Sequence, residues 1–200
     1  MKQICAAFCA GSAVLALSSA AIAQQPPGKT LQLSKVVLDT ESSELVARVK
    51  GGTLCVFPSN VKIPKEKKTQ DYERFDNLFT ELMKAHGITV VSTSSDMFAD
   101  ANDASKGDYL VGVALRPTAM NLCSSVNGEK GDVAIEAEWQ IFDRAAGRIV
   151  DTVKTSAVGA QAKFAVDGQK QMINQAFTAN LTAFIDKGVL QKYVEAVKAQ

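Results

Sequence analysis

Histidine is almost absent from this sequence: His86 is the only one in 200 residues. A Ser-His-Asp hydrolase needs a histidine that takes up and returns a proton, and the Gly-x-Ser-x-Gly elbow of such enzymes is missing as well. The phosphate-binding loop Gly-x-x-x-x-Gly-Lys-Ser/Thr is also missing. We interpret His86 as a residue at the end of a helix. The sequence therefore predicts no catalytic residues and no cofactor.

Cysteine is scarce too, with four in the chain. Cys5 and Cys9 lie in an apolar N-terminal segment, which leaves Cys55 and Cys123 in the remainder. One histidine and two distant cysteines do not supply the compact ligand set of a zinc site, so no metal site is predicted. In an oxidising compartment an isolated pair most simply forms a disulfide. We predict a Cys55–Cys123 disulfide, with two separate buried thiols as the alternative.

The sequence has little that could span a membrane. Its N-terminal apolar run, residues 4–17, is shorter than the stretch of about 20 residues that a spanning helix needs. Lys2 precedes this run and small residues ending at Ala23 follow it, which is the pattern of a cleavable signal peptide. We predict a signal peptide over residues 1–23, cut between Ala23 and Gln24, with an uncleaved anchor as the alternative. No cysteine follows the cut, so the mature protein is expected to be soluble and periplasmic, not a lipoprotein.

Neither sign of charge is in excess. The chain has 22 basic and 21 acidic side chains, and loss of Lys2 with the signal peptide balances the two. A balanced chain with 6% aromatic residues gives no case for nucleic acid binding. The basic stretch at residues 62–68 is interrupted by Glu66. We interpret it as a solvated loop; contact with anionic lipid or another envelope polymer is the alternative.

Apolar periodicity predicts one domain over residues 31–200, after a flexible leader at 24–30. The order of strands and helices is that of a single α+β domain. Strands are predicted at 31–40, 53–57, 88–91 and 107–117 and in a hairpin from 133 to 158, helical segments at 70–86, 94–104, 167–188 and 189–198, and an irregular loop at 118–130.

The hairpin "AEWQIFDRAAGRIVDTVKT", with Glu136 one place upstream, carries the one catalytic hypothesis that the residues allow. Glu136 and Glu138 lie two apart on a strand, so their carboxylates point to the same side, and paired carboxylates can hydrolyse a sugar polymer. They alternate with apolar residues that include Trp139, which places the acids on the solvent side of the sheet. We favour a structural hairpin that turns at Asp143–Gly147 and holds Trp139 in the core.

Four segments together resemble a group of bacterial envelope domains: "ERFDNLFTELMKAHGITVVST", "GDYLVGVAL", "VAIEAEWQIFDRAAGRIVDTVKT" and "NQAFTANLTAFI". Their order is similar to that in the N-terminal domain of TolB, in CsgG and in LpoB. The resemblance covers about residues 53–186. It implies an α+β two-layer sandwich, with a mostly antiparallel sheet of about four to five strands and amphipathic helices packed on it. The sequence lacks a lipidated cysteine, a transmembrane hairpin and a β-propeller, and no functional residue carries over.

The leading hypothesis for function is a soluble periplasmic, non-enzymatic binding or assembly module with an envelope protein as its partner. It combines the export signal with the resemblance and with the absence of a catalytic set. One alternative is a small-ligand carrier with a pocket between the sheet and the helices. The other is an envelope-polymer hydrolase that uses Glu136 and Glu138.

Overall fold

The computed structural model describes residues 29–41, 46–59, 65–69, 72–91 and 106–194. The predicted signal peptide, nearly all of the leader, the helical segment predicted at 94–104 and the end of the helix predicted at 189–198 lie outside the described residues. The described part contains one sheet and two α-helices, so the predicted α+β class is confirmed. The elements are β1 (Leu31–Asp39), β2 (Val46–Gly51), β3 (Phe57–Ser59), β4 (Lys67–Thr69), α1 (Tyr72–Ala85), β5 (Tyr109–Ser125), β6 (Gly128–Asp143), β7 (Arg148–Ala165), α2 (Gly168–Asp186) and a 3₁₀ turn (Leu190–Lys192).

The sheet is mixed and has seven strands, which corrects the expectation of a mostly antiparallel sheet of four to five. β5 is its central strand. One edge of β5 pairs with the antiparallel β6, and the other pairs with β1 and then with β2, both parallel to it. The parallel pairs arise because a long connection that contains α1 lets the chain return in the same direction. β4 and β3 pair antiparallel with β1 and β2, and β7 pairs antiparallel with β6.

β5 and β6 are longer than the sequence predicts. Residues 118–130, expected to form an irregular loop, continue β5 to its end and start β6 after a short turn. A bulge between Pro117 and Ala119 keeps β5 paired past the proline, which has no N–H to donate. The segment was expected to be a loop because polar residues such as Asn121 and Ser124 occupy it. They lie exposed on the strand.

Two other strand predictions are corrected. Of the residues predicted as a strand at 53–57, only Phe57 lies in a strand, where it begins β3; residues 53–55 form a turn in which the chain reverses after β2. The strand predicted at 88–91 is reduced to a single bridge between Val90 and Leu31.

The predicted ends of α1 are close to those observed. Gly87 follows the helix with a φ of 71°, a conformation that glycine adopts without steric cost. His86 lies at this end, where its ring Nδ1 donates to the carbonyl oxygen of Leu82 at 2.9 Å. The interpretation of His86 as a helix-end residue is therefore confirmed.

The predicted turn of the β6–β7 hairpin is also confirmed. The side chain of Asp143 accepts a hydrogen bond from the N–H of Ala146 at 3.0 Å, and its carbonyl oxygen accepts one from the N–H of Gly147 at 2.9 Å. Gly147 has a φ of 63°, so the residue type suits the left-handed conformation.

The hydrophobic core lies between one face of the sheet and the two helices. Trp139 is fully buried there, as predicted, and stacks on Phe184 with ring centroids 4.9 Å apart. Phe177 contacts both Trp139 and Phe75. The indole N–H of Trp139 donates to the hydroxyl of Thr155 at 2.9 Å, which satisfies its only polar group. These rings occupy the space in which the carrier hypothesis places its pocket.

β7 is an edge strand, and side chains from α2 and from the residue that follows it cover part of its free edge. The N–H of Ala160 donates to Oε1 of Gln175 at 3.0 Å. The ammonium group of Lys187 donates to the carbonyl oxygen of Lys154 at 2.7 Å. Unpaired backbone groups on a long edge strand are a template for pairing with another chain, so these contacts protect the edge.

Removing this protection is expected to cause self-association. In the variant Gln175→Ala/Lys187→Ala, two backbone groups of β7 lose their partners and become available to a second chain. We expect its elution volume in size-exclusion chromatography to shift with protein concentration. Lys170→Ala/Gln171→Ala changes two exposed residues of the same types on α2 and is expected to elute like the parent chain. Equal behaviour of both variants would contradict this role of the side chains.

Candidate functional site

Five charged side chains of alternating sign cross the outer face of the sheet, opposite the helices; we call them the charged row. The row runs over neighbouring strands in the order β4, β1, β5, β6 and β7. Its ion pairs are Lys67–Asp39 at 3.9 Å, Asp39–Arg116 at 3.2 Å, Arg116–Glu138 at 3.1 Å and Glu138–Lys154 at 3.5 Å.

Arg116 is the central member of the charged row. It donates from Nε to Asp39 and from Nη1 to Glu138, so one guanidinium group joins two carboxylates on different strands. Asp39 is only 2% exposed, and a carboxylate buried to that degree needs a cationic partner to remain charged. Burial opposes the charge of Arg116, but the hydrogen bonds to Glu138 and Asp39 outweigh it and raise the pKa of Arg116.

The two acids singled out by the sequence have different surroundings. Glu136 is exposed, whereas Glu138 is half-buried in the charged row. The hydrogen bond from Arg116 lowers the pKa of Glu138, and the hydrogen bond from Gln140 and the charges of Arg116 and Lys154 act in the same direction, against the effect of burial. A carboxyl that donates a proton to a leaving group needs a raised pKa. The pKa shift of Glu138 is in the opposite direction, so this geometry gives the hydrolase hypothesis no support.

The predicted disulfide between Cys55 and Cys123 is present, with the two Cα atoms 5.4 Å apart. It joins the turn between β2 and β3 to the end of β5. The N–H of Gly52 reinforces this junction by donating to the carbonyl oxygen of Ser124 at 3.0 Å. The covalent bond thus holds an otherwise exposed turn against the central strand.

Large apolar side chains are exposed at the same end of the sheet; we call them the apolar rim. Its members occupy the turn between β2 and β3, the first residue of β3, the turn between β5 and β6 and the residue after β7. These turns are neighbours because the ends of β2, β5, β6 and β7 pair in that order. The apolar rim consists of Leu54, Val56, Phe57, Val126 and Val166, each more than half exposed.

A groove of about 510 Å³ lies next to the rim, on the outer face of the sheet. Arg48 and Lys50 line it from β2, and Lys130 lines it from β6; we call it the basic groove. Asp132 also lines the groove, where Nδ2 of Asn121 donates to its carboxylate at 2.8 Å.

The sequence did not single out the basic residues of the groove. Arg48 and Lys50 alternate with the half-buried Ala47 and Val49, so their common face could have been found in the segment Ala47–Lys50. Lys130 lay in the presumed loop. The three cations lie close together because of the registers in which β2 and β6 pair with β5. These registers cannot be derived from any one segment of the sequence.

Among the described residues, no group of three or more His, Cys, Asp or Glu side chains is placed to hold a metal ion. No helix in this part of the chain has both the length and the apolar character to cross a membrane.

No protein-family model matches the chain, and no curated protein is similar to it. Solved structures of similar shape include a Xanthomonas campestris protein of the DUF330 family, at 11% identity and a TM-score of 0.37, with 82% of this chain and 96% of that one covered. The PelC dodecamer of Paraburkholderia phytofirmans matches at 11% identity and a TM-score of 0.40, over 79% and 86%. A minor lipoprotein of Acinetobacter baumannii matches at 12% identity and a TM-score of 0.41, over 83% and 95%. These likenesses to bacterial proteins are too distant to transfer a function to this chain, and the resemblance to TolB, CsgG and LpoB stays a prediction.

Proposed function

We propose that this chain is a non-enzymatic binding or assembly module of the bacterial periplasm, and that an envelope protein docks on its apolar rim. The observation that carries the proposal is the rim itself: five large apolar side chains stand more than half exposed at one end of the sheet. Single exposed apolar residues are ordinary, but a cluster of them marks an interaction site. The predicted signal peptide supports the periplasmic location.

The rim also has the rigidity that a docking site needs. Its largest member, Phe57, begins β3, which pairs with β2, and the disulfide fixes the turn before it to β5. Val126 lies in the short turn between two long paired strands. A partner that binds these side chains therefore meets a surface that is already ordered, which reduces the entropy lost on binding.

Capture of the partner from the native envelope tests the proposal. We expect a specific protein to crosslink to the parent chain and its yield to fall about tenfold or more with Leu54→Ser/Phe57→Ser, because truncation of apolar anchors at an interface costs more than about 1 kcal/mol each. Ile149→Ser/Val158→Ser is the matched control, because these residues are exposed and apolar but lie outside the rim.

The control variant is expected to retain the captured protein. If the rim variant captures as much of the protein as the parent chain does, docking at this site is refuted. Absence of any specific protein on the parent chain would refute the proposed function itself.

A further inference from the structure

The basic groove has the features of a second binding site, separate from the apolar rim. We infer that it binds a ligand that carries phosphate or carboxylate groups, held between Lys50 on one wall and Lys130 on the other.

Strand register places the cations on one face. Lys50 pairs with Cys123 on β5, and Cys123 pairs with Lys130 on β6, so the two lysines flank the disulfide from opposite sides. Neighbouring strands lie about 4.8 Å apart, so the two lysine backbones are separated by about 10 Å. Two lysine side chains can bridge that distance to a shared anion. Arg48 lies two residues before Lys50 and extends the same wall.

Asp132 also lines the groove and offsets one of its three positive charges, so positive charge remains in excess there; its carboxylate accepts a hydrogen bond from Nδ2 of Asn121. Glu129 precedes Lys130, but its carboxylate accepts a hydrogen bond from the N–H of Gln169 at the start of α2, on the other side of the sheet. Among the described residues, Arg48, Lys50 and Lys130 form no ion pair. In the charged row, by contrast, Arg116 and Lys154 each pair with Glu138. The basic groove thus concentrates positive charge in a chain that is nearly neutral overall.

The floor of the groove gives a ligand room to approach. Its lining includes the small residues Gly131 of β6 and Ala160 and Ala162 of β7. Lys130 stands at its margin with its ammonium group 4.5 Å from the centre of the Phe164 ring. This cation–π contact limits the positions of the ammonium group without neutralising its charge. A volume of about 510 Å³ is in the range of small-ligand sites.

Calorimetric titration of the full exported chain tests the inference with three probes. They are inorganic tripolyphosphate, a hexamer of galacturonate, and vesicles of phosphatidylglycerol mixed with phosphatidylcholine, with pure phosphatidylcholine vesicles as the blank. They distinguish a soluble phosphate, an acidic glycan and a lipid headgroup as sources of the same oxyanion chemistry. At least one probe is expected to bind saturably, and its affinity is expected to fall as salt is added.

Two variants with the same change of net charge separate a site from a general charge effect. Lys50→Gln/Lys130→Gln is expected to weaken binding about tenfold or more, because two charge-assisted contacts are lost. Lys35→Gln/Lys84→Gln removes two exposed lysines outside the groove and is expected to leave affinity within about twofold. The inference is overturned if no probe binds the parent chain, if both variants lose affinity equally or if the groove variant binds as well as the parent.

Discussion

Replacing Cys55 and Cys123 with alanine is expected to lower the free energy of unfolding by about 4 kcal/mol. The disulfide joins residues 68 positions apart, so it removes a large loop-closure entropy from the unfolded chain. For a domain of this length the loss corresponds to a fall in melting temperature of about 8–16 °C. Thermal unfolding of the parent and variant proteins, followed by circular dichroism, measures it.

Reductant provides the matched control for this prediction. It is expected to lower the melting temperature of the parent chain to that of the variant and to leave the variant unchanged, because the variant has no bond to reduce. The apolar rim gives a second readout. Its β2–β3 turn carries Leu54 next to Cys55, so the variant should lose captured partner along with stability. If reductant leaves the melting temperature of the parent chain unchanged, the predicted stabilisation by the disulfide is contradicted.

The β6–β7 hairpin shows what the sequence alone could predict. Between Val133 and Ile141 every second residue is apolar, and most of the residues between them are polar. Successive side chains of a strand point to opposite faces, so this pattern predicts that one face is buried. Gly147 and Asp143 mark the turn by conformational preferences that act within a few residues. Such local causes were sufficient to predict that Trp139 is buried.

The parallel pairs and the binding surfaces have causes that no single segment contains. Whether β1 and β2 lie parallel to β5 depends on the path of the long connection that leads from these strands to β5, and not on the residues of the strands themselves. No neighbour in the sequence indicates that Asp39 is buried, because its partner Arg116 is 77 positions away in the chain. The basic groove likewise exists only because β2 and β6 place Lys50 and Lys130 on either side of β5.

Replacing Arg116 with methionine is expected to lower the free energy of unfolding by about 3 kcal/mol. Methionine preserves much of the volume and apolar stem of arginine, so the loss reports mainly on charge. Asp39, in a position that is 2% exposed, would lose the guanidinium group that favours its charged form, and both ways out, a poorly compensated buried carboxylate or the uptake of a proton, cost free energy. Lys67, at 3.9 Å and 55% exposed, is too distant and too well solvated to replace the guanidinium group. Chemical denaturation of both proteins at neutral pH measures the difference.

A matched set of variants separates the buried charge from lost packing. Asp39→Asn/Arg116→Met removes both charges of the buried pair and is expected to be more stable than Arg116→Met alone, since a buried carboxylate that has lost its guanidinium partner costs more free energy than a neutral amide in its place. Lys154→Met breaks the exposed end of the charged row and should change stability by less than about 0.5 kcal/mol. If the double variant is the least stable of the three, the cost is one of packing and the electrostatic argument fails.

The pH dependence of the stability lost in Arg116→Met provides an independent test of the electrostatic argument. The hydrogen bond from Arg116 lowers the pKa of Glu138 below its ordinary value of 4.5. A carboxyl with a lower pKa in the folded state stabilises the fold above its unfolded pKa, and that contribution is lost as the pH falls through its folded pKa. The deficit of Arg116→Met should therefore be largest above about pH 5 and shrink in acid, where Glu138 becomes protonated. A deficit that is constant from neutral pH to acid would mean that Arg116 acts through its shape and not through its charge.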